Sequence, residues 1–325
     1  MRPTGKLHLG HLVGALENWT ALQDQYECFY FVADWHALTS EYADTTALVE
    51  NSYDNVADWI AAGLDPERST LFIQSLVPEH AELFLLLSMV VPIPWLERVP
   101  TYKEQREQLS EKDLSTLGFL AYPLLQTADV AMYDATFVPV GEDQVPHLEL
   151  SREVVRRFNN FYQRAVPLLT EPQPLLTTFA RLPGLDNRKM SKSYGNAIDL
   201  SDDAEAVRKK VMSMYTDPKR IRADIPGTVE GNPVFLYHDA FNSNVEEVED
   251  LKARYRLGKV GDVEVKKKLV VALNGVLDPM RQRRADVLAK PGRVREILFE
   301  GSARARLVAR ETMERVREAV RVRYR

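Results

Sequence analysis

The sequence has one cysteine, Cys28, among 325 residues. A single thiol forms no disulfide within the chain and builds neither a zinc finger nor a thiolate-held iron–sulfur cluster, so such scaffolds are excluded. Long apolar runs are missing too, because the longest, about residues 83–94, is far short of the roughly 20 residues that a membrane helix needs. No signal-peptide pattern opens the sequence. We therefore expect a cytoplasmic protein that works with ordinary side chains and bound ligands.

The composition, 45% hydrophobic and 27% charged, is ordinary for a globular chain. The net charge of −5 conceals an asymmetry. Residues 252–325 carry 21 Lys and Arg against 9 Asp and Glu, whereas residues 1–251 carry 21 against 38. A basic C-terminal segment on an acidic body is what a nucleic-acid partner requires. A solvated helical face explains the same charges and stays open at this point.

Short β-branched or aromatic runs alternate with helical patterns in the first half of the chain. The runs predict strands over residues 27–34, 69–76 and 136–141, with a helix over 53–63 between the first two. This alternation indicates an α/β fold, in which a parallel sheet has helices on both faces and binds ligands at the carboxyl ends of its strands. After residue 201 the pattern is almost wholly helical. The predicted helices there cover residues 202–214, 234–241, 245–255, 263–290 and 294–322.

Two histidines stand at the start of a predicted helix over residues 12–22, in the segment Pro-Thr-Gly-Lys-Leu-His-Leu-Gly-His. Free amides and the helix dipole make such a start favourable for anions. His8 and His11 share a face by their spacing of three, and Gly10 between them allows a ligand close to the backbone. The pattern alone is weak, since two histidines near a helix start are often only packed or capping residues.

A second motif, Lys-Met-Ser-Lys-Ser over residues 189–193, lies between glycines and small polar residues. These neighbours predict a mobile surface loop. Lys189 and Lys192 can close on a triphosphate and stabilise the charge of leaving pyrophosphate. By itself such a loop is more often solvated surface.

Between these motifs, Tyr122, Gln126 and Asp129 share one face of a predicted helix through their spacing of four and three. A carboxylate on that face can accept a hydrogen bond from an indole N–H or from a phenol. The spacing therefore leaves tryptophan and tyrosine open as ligands.

Taken together, His-Leu-Gly-His near the start and Lys-Met-Ser-Lys-Ser about 180 residues later resemble the two signatures of the class I aminoacyl-tRNA synthetases. The segment Gly-Glu-Asp-Gln over residues 141–144 resembles the tryptophanyl members more than the tyrosyl ones, as does Ala-Asp-Trp-His-Ala-Leu-Thr over residues 33–39. The resemblance covers nearly the whole chain. It implies a Rossmann-type doubly wound parallel sheet over residues 1–200 and an all-helical domain over 201–325, whose last helix could pack back on the first domain.

The resemblance also implies the activity and its sites. Such an enzyme activates L-tryptophan with ATP to the adenylate and transfers tryptophan to the terminal ribose of its tRNA. By position, the implied catalytic residues are His8, His11, Lys189 and Lys192. The implied tryptophan-binding residues are His36, Tyr122, Gln126, Asp129, Val138, Val140 and Gln144, although plain sheet core explains the valines equally well from pattern alone. The implied ATP-binding residues are Arg2, Pro3, Thr4, Gly10, His11, Gly141, Glu142, Asp143, Leu182, Lys189, Met190, Ser191, Lys192 and Ser193.

Other implied properties concern ions and partners. Mg²⁺ is expected to accompany ATP, with no metal held by the protein itself, neither zinc nor an iron–sulfur cluster, since residues 255–269 have no cysteine. The basic helical domain is expected to read the tRNA anticodon, which favours the nucleic-acid interpretation of its charge. The arginines concerned are those at positions 281, 283, 284, 293, 295, 304, 306, 310, 315 and 317. A homodimer is expected, with no membrane association.

Three departures from the family pattern are visible. Relatives have a central strand before Pro-Thr-Gly, so we expect such a strand to precede Met1. Gln126 stands where some relatives have methionine, and Arg2 replaces a neutral residue. The rival interpretations are a tyrosyl enzyme, a small-molecule nucleotidyltransferase, and a tRNA-binding paralogue with a dead site. The basic appendage argues against the second rival, and the intact histidines and lysines argue against the third.

Overall fold

The computed structural model describes residues 1–100, 114–176, 182–190, 194–218, 220 and 222–324, and the side chain of Asp143 falls outside that description. The strands in these residues are β1 (Cys28–Val32), β2 (Ser69–Ile73), β3 (Phe137–Val140) and β4 (Gln173–Leu176). The α-helices are α1 (Leu9–His11), α2 (Glu17–Leu22), α3 (Asp34–Glu41), α4 (Leu48–Ala62), α5 (Glu79–Ser88), α6 (Ile93–Glu97), α7 (Leu117–Ala131), α8 (Val145–Tyr162), α9 (Ala204–Met212), α10 (Pro233–Phe241), α11 (Val245–Arg256), α12 (Asp262–Leu288) and α13 (Arg293–Ala319). A π-helical turn, Leu12–Leu16, joins α1 to α2, and 3₁₀ helices form at Gln74–Leu76 and Glu142–Gln144.

The strands pair in parallel, as the alternation of strands and helices predicts. In β1 and β2, Cys28 lies opposite Ser69 and Val32 opposite Ile73. In β3 and β4, Phe137 lies opposite Gln173. Helices connect the parallel strands, because a parallel crossover needs a dozen or more residues. The α/β class is confirmed.

Met1 continues the pairing at the end of β1. Its amine donates to the carbonyl of Phe31 at 2.6 Å, and the amide of Ala33 donates to the carbonyl of Met1 at 2.9 Å. A cavity of about 400 Å³, lined by residues of β1 and β3, separates the two strand pairs. The additional strand expected from the family pattern stays a prediction.

The helices predicted beyond residue 201 are confirmed to within a few residues at each end. Side chains cap the starts of two of these helices: Asp203 accepts from Ala206 at 2.7 Å before α9, and Asn244 accepts from Glu247 at 3.0 Å before α11. The first helical segment begins earlier than predicted, at Leu9. Among the described residues, no helix combines the length and apolar character needed to cross a bilayer.

The last helix, α13, packs across strand β2. Gly301 lies so close that a Cβ on it would stand 1.9 Å from the carbonyl oxygen of Leu71, so a side chain is excluded there. The hydroxyl of Ser302 accepts from the amide of Ile73 at 3.2 Å. Leu298 on the same helix joins the core that contains β1 and α4, whereas Met313 joins a second core beneath α5, α7 and α8. The C-terminal helix therefore belongs to the packing of the N-terminal half.

Basic side chains of α12 and α13 contact acidic and carbonyl groups of the N-terminal half. Arg283 donates to the carbonyl of Ala61 at 2.7 Å, and Arg306 donates to the buried carboxylate of Glu79 at 3.0 Å. The other contacts of this kind are Arg284 with Asp54 and Asp58, Arg304 with Pro66, Arg310 with Glu79, Arg315 with Asp134, and Arg317 with Glu82. Part of the C-terminal positive charge thus compensates carboxylates of the acidic body.

Candidate active site

The two histidines of the first motif lie against each other. The ring centroids of His8 and His11 are 3.8 Å apart, and Nδ1 of His11 accepts from the backbone amide of His8 at 3.1 Å. The surrounding backbone is fixed by the chain beyond the second motif, because the amide of Leu9 donates to Ile198 at 3.0 Å. Both imidazoles are half-buried at the start of the continuous helical segment 9–22.

Hydrogen bonds join the residues on either side of the second motif. Asn196, which is buried, donates through Nδ2 to Oδ1 of Asp186 at 2.8 Å and to the carbonyl of Lys189 at 3.1 Å. The Asn196 amide, together with Arg188, lowers the pKa of Asp186 to about 2. Gly184 faces Asn196 so closely that any side chain there would collide with it. The side chain of Lys189 is exposed, whereas Ser191, Lys192 and Ser193 lie outside the described residues.

Gly10 and Met190 connect the two motifs. A Cβ on Gly10 would stand 3.0 Å from Sδ of Met190 and 3.0 Å from two atoms of the His8 ring. The glycine therefore permits the loop and the histidine to approach the same point of the backbone. The two signatures, about 180 residues apart in sequence, meet in space.

A cavity of about 410 Å³ opens at the carboxyl end of β1. Most of the residues that line it were predicted from the sequence. The lining residues that the sequence predicted are Arg2, His36, Tyr122, Gln126, Asp129, Val138 and Gln144. Val140 is buried at the end of β3 and is not among the lining residues, while His147, which the sequence did not suggest, is one of them.

Asp129 is the buried polar centre of this cavity. Its Oδ2 lies 2.8 Å from Nε2 of His36, and its Oδ1 accepts from Nε2 of Gln74 at 2.7 Å and lies 2.6 Å from Nδ1 of His80. Burial alone would raise the pKa of this carboxyl, but the hydrogen bonds from His36 and His80 outweigh it and hold the pKa well below its usual range. The group is thus a buried ionised acceptor in a wall that combines apolar and polar side chains.

Gln74 and His80 were missed at the sequence level. Gln74 follows the last residue of β2, and His80 stands in the first turn of α5. The strand predicted to run on to residue 76 placed Gln74 inside a strand, and no motif in the sequence singled out His80. The rule that ligand-binding residues follow the carboxyl ends of parallel strands could have found Gln74.

The remaining predicted ATP-site residues lie in three places. Pro3 and Thr4 line a separate cavity of about 290 Å³ beside α3. Gly141 directly follows β3, and the exposed Glu142 begins the 3₁₀ helix after it. Leu182 is buried in the core that contains β1. Of the residues beside the first motif in sequence, Arg2 lines the cavity around Asp129, whereas Pro3 and Thr4 line the cavity beside α3.

The family model described as tRNA synthetases class I (W and Y) matches residues 1–278. The chain belongs to this family. The resemblance inferred from the two motifs and the segment over residues 141–144 is thereby confirmed. The match spans the strands, the cavity and both signatures.

Several relatives similar to this chain are tryptophan-specific members of the family. The tryptophan–tRNA ligase of Thermotoga maritima is 49% identical over 325 residues, covering 100% of this chain and 98% of that one. The tryptophan–tRNA ligase of Treponema pallidum is 49% identical, with 98% and 94% covered. Among solved structures, tryptophanyl-tRNA synthetase from Campylobacter jejuni complexed with ADP and tryptophan has a TM-score of 0.87 at 31% identity, covering 98% of both chains.

Proposed function

We propose that this class I synthetase is a tryptophan–tRNA ligase, which forms tryptophanyl-adenylate from L-tryptophan and ATP and then charges tRNA(Trp). The observation that carries the proposal is the ionised, buried carboxylate of Asp129 in a cavity that also contains Tyr122 and Gln126. An indole presents one N–H on a large apolar ring, and this cavity offers one buried anionic acceptor together with apolar side chains such as Phe31, Val130 and Val138. Full-length relatives named for tryptophan support the same assignment.

The chemistry proceeds in two balanced steps. A carboxylate oxygen of tryptophan attacks the α-phosphorus of ATP, and the bond from that phosphorus to the bridging oxygen breaks, so pyrophosphate leaves with the electron pair. A ribose hydroxyl of tRNA then attacks the carbonyl carbon, and AMP leaves as the proton of the hydroxyl is released. No side chain becomes covalently attached. Positioning and charge stabilisation therefore carry the rate.

The two signatures are assigned to the phosphates. His8 and His11 would donate to the polyphosphate from the start of the first helical segment. Lys189, with Lys192 by sequence, would balance the charge that grows on pyrophosphate as the bond breaks. The contact between Gly10 and Met190 supports this assignment, because it brings the loop to the histidines.

The tryptophan site is assigned around the carboxylate. Asp129 would accept the indole N–H, and Val138 would pack against the ring. A site that pairs a buried acceptor with one donor rejects ligands that lack the donor, because the acceptor would stay unpaired. Phenylalanine is therefore expected to be a poor substrate. Tyrosine is expected to compete more strongly than phenylalanine, since its phenol can also donate a hydrogen bond to Asp129.

Mg²⁺ is assigned to ATP and not to the protein. Among the described residues, no group of three or more His, Cys, Asp or Glu side chains is placed to hold a metal ion. Phosphate oxygens are the hard ligands that Mg²⁺ prefers. Bound in this way, the ion would neutralise phosphate charge during activation.

The assignment of residues 201–325 to the tRNA anticodon, of the chain to a homodimer, and of the enzyme to the cytoplasm rests on the family. For the anticodon, the structure adds a restriction. Arg283, Arg284, Arg306 and Arg317 are paired with groups of the N-terminal half. We therefore expect the anticodon to be read by basic residues other than these four.

The experiment is ATP–pyrophosphate exchange with Mg²⁺, without tRNA, using tryptophan, tyrosine and phenylalanine as alternative substrates. Exchange with tryptophan alone is expected. Exchange with tyrosine instead would support the same activation reaction but assign the specificity to tyrosine. Absence of exchange with all three amino acids would reject the proposed activity. Charging of tRNA(Trp) transcripts then tests the second step.

A further inference from the structure

The carboxylate of Asp129 can accept few further hydrogen bonds from a ligand. Two carboxylate oxygens offer about four lone-pair positions. The described residues take two on Oδ1, through Gln74 and His80, and one on Oδ2, through His36. The remaining position is on Oδ2, and Asp129 and His36 both line the cavity. An indole N–H is therefore expected to reach Oδ2.

His80 is held firmly behind this carboxylate. Its side chain is fully buried, with the rings of Phe31 and Phe72 each 6.1 Å away between centroids. Nδ1 lies 2.6 Å from Oδ1 of Asp129, and Nε2 lies 2.7 Å from the hydroxyl of Tyr133. The imidazole cannot rotate without losing both hydrogen bonds. Because His80 does not line the cavity, it acts on a ligand only through Asp129.

Asp129 determines that Nδ1 of His80 carries a proton, and Tyr133 holds the other nitrogen of the ring. Burial raises the pKa of the Tyr133 hydroxyl, and the nearby charges of Asp129 and Glu79 act in the same direction. The hydroxyl is therefore neutral. Because the ionised carboxylate of Asp129 can only accept, Nδ1 of His80 carries a proton and donates to Oδ1, while Nε2 faces the Tyr133 hydroxyl. The ring of Tyr133 is itself stacked on Phe29, with centroids 4.6 Å apart.

We propose that His80 is a positioning residue for tryptophan selection: it donates to Oδ1 of Asp129 and so presents Oδ2 to the indole N–H. The inference rests on the proposed function and deepens it. A residue that acts in this way affects substrates that carry the N–H and spares an isosteric substrate that lacks it. A residue that only supports the fold affects both alike.

The test compares kcat/KM in ATP–pyrophosphate exchange for tryptophan and for β-(3-benzothienyl)alanine, in which sulfur replaces the indole N–H. His80→Leu fills the site without a donor, and His80→Asn keeps an amide N–H near the place of Nδ1. We expect His80→Leu to lower the tryptophan-to-analogue ratio about tenfold to a hundredfold, the effect of a weakened hydrogen bond to a charged group. His80→Asn is expected to restore most of it. An unchanged ratio in His80→Leu overturns the inference.

Two further variants keep the test decisive. If His80→Leu does not fold, His80→Met also fills the site without a donor, and an unchanged ratio in that variant overturns the inference equally. His238→Asn is the matched control, because His238 is a fully buried histidine bonded to the carbonyl of Val265 and remote from Asp129 in the contacts described. Failure of the wild-type protein to use tryptophan rejects the proposed function. Retained tryptophan preference in His80→Leu rejects only the role of His80.

Discussion

Arg284 on α12 donates through Nε to Oδ1 of Asp58 on α4 at 2.8 Å. Asp58 is 1% exposed, and Asp54 on the same helix also contacts the guanidinium. Burial raises the pKa of Asp58 to about 6, although Arg284 acts in the opposite direction. A buried carboxylate of the N-terminal half thus depends on a cation from the C-terminal helices.

Arg284→Met is expected to destabilise the protein in a pH-dependent way. The folded pKa of Asp58 exceeds its ordinary value of 3.8, so this group favours folding fully below about pH 4 and loses that contribution as the pH rises through about 6. At pH 8 the variant keeps an uncompensated buried charge, whereas near pH 5 the carboxyl takes a proton. We expect the free energy of unfolding to fall by roughly 3–5 kcal/mol at pH 8 and by clearly less at pH 5. Urea denaturation at both pH values measures it.

Arg295→Met serves as the control for this prediction. Arg295 is exposed on α13, with its guanidinium 5.2 Å from the ring centre of Phe299. A surface change of this kind usually alters stability by less than about 0.5 kcal/mol. An equal loss for Arg284→Met at pH 5 and pH 8 would contradict the explanation by a buried charge.

Asp129→Asn is expected to lower kcat/KM for tryptophan by about a hundredfold or more in pyrophosphate exchange. The amide has nearly the shape of the carboxylate, but its NH₂ group would face a donor from His36, Gln74 or His80. The acceptor for the indole is therefore misplaced as well as neutral. Unchanged tryptophan kinetics would show that the ring is recognised elsewhere.

The control for that variant is Asp250→Asn. Asp250 is an exposed aspartate on α11 paired with Arg254 at 3.2 Å, outside the cavity. Its exchange kinetics are expected to match those of the wild type. Thermal unfolding of both variants separates a loss of folded protein from a loss of substrate recognition.

The face of α7 that carries Tyr122, Gln126 and Asp129 was predictable because helical periodicity is local. A spacing of four and three places three side chains together whatever the rest of the chain does. The existence of β1 and β2 was predictable for a related reason, since short β-branched and aromatic runs identify strands without knowledge of their partners, although β2 ends at Ile73 and not at residue 76. Local patterns therefore located the cavity.

The partners of Asp129 could not be predicted in this way. Gln74 and His80 precede it by 55 and 49 residues, and only the packing of α5 and β2 against α7 brings them together. The contacts of the basic C-terminal segment could not be predicted either. Its charge count suggested a nucleic-acid surface, whereas the contacts of Arg284 and Arg306 show that part of the charge compensates carboxylates of its own chain.

Lys189→Ala is expected to reduce kcat for activation about a hundredfold while KM for tryptophan changes little. The exposed ammonium is assigned to charge that develops on pyrophosphate, and it has no described contact with the tryptophan cavity. Single-turnover formation of the adenylate measures the rate. Lys209→Ala, an exposed lysine on α9, is the control and is expected to leave it unchanged. A rise in KM for tryptophan with constant kcat would place Lys189 at the amino acid instead.

Gly10→Ala is expected to impair activation through the contact between the two signatures. The new Cβ would lie 3.0 Å from Met190 and from the His8 ring, so either the loop or the imidazole has to move. Gly14→Ala in the same helical segment is the matched control, because a Cβ there meets nothing within 4 Å. Alanine in a helix is favoured over glycine by roughly 0.5–1 kcal/mol, so Gly14→Ala should be at least as stable as the wild type with normal exchange. We expect Gly10→Ala to raise KM for ATP or lower kcat by about tenfold, which corresponds to a misplacement costing about 1.4 kcal/mol. Equal activity in the two variants would show that the close approach of loop and histidine has no part in the reaction.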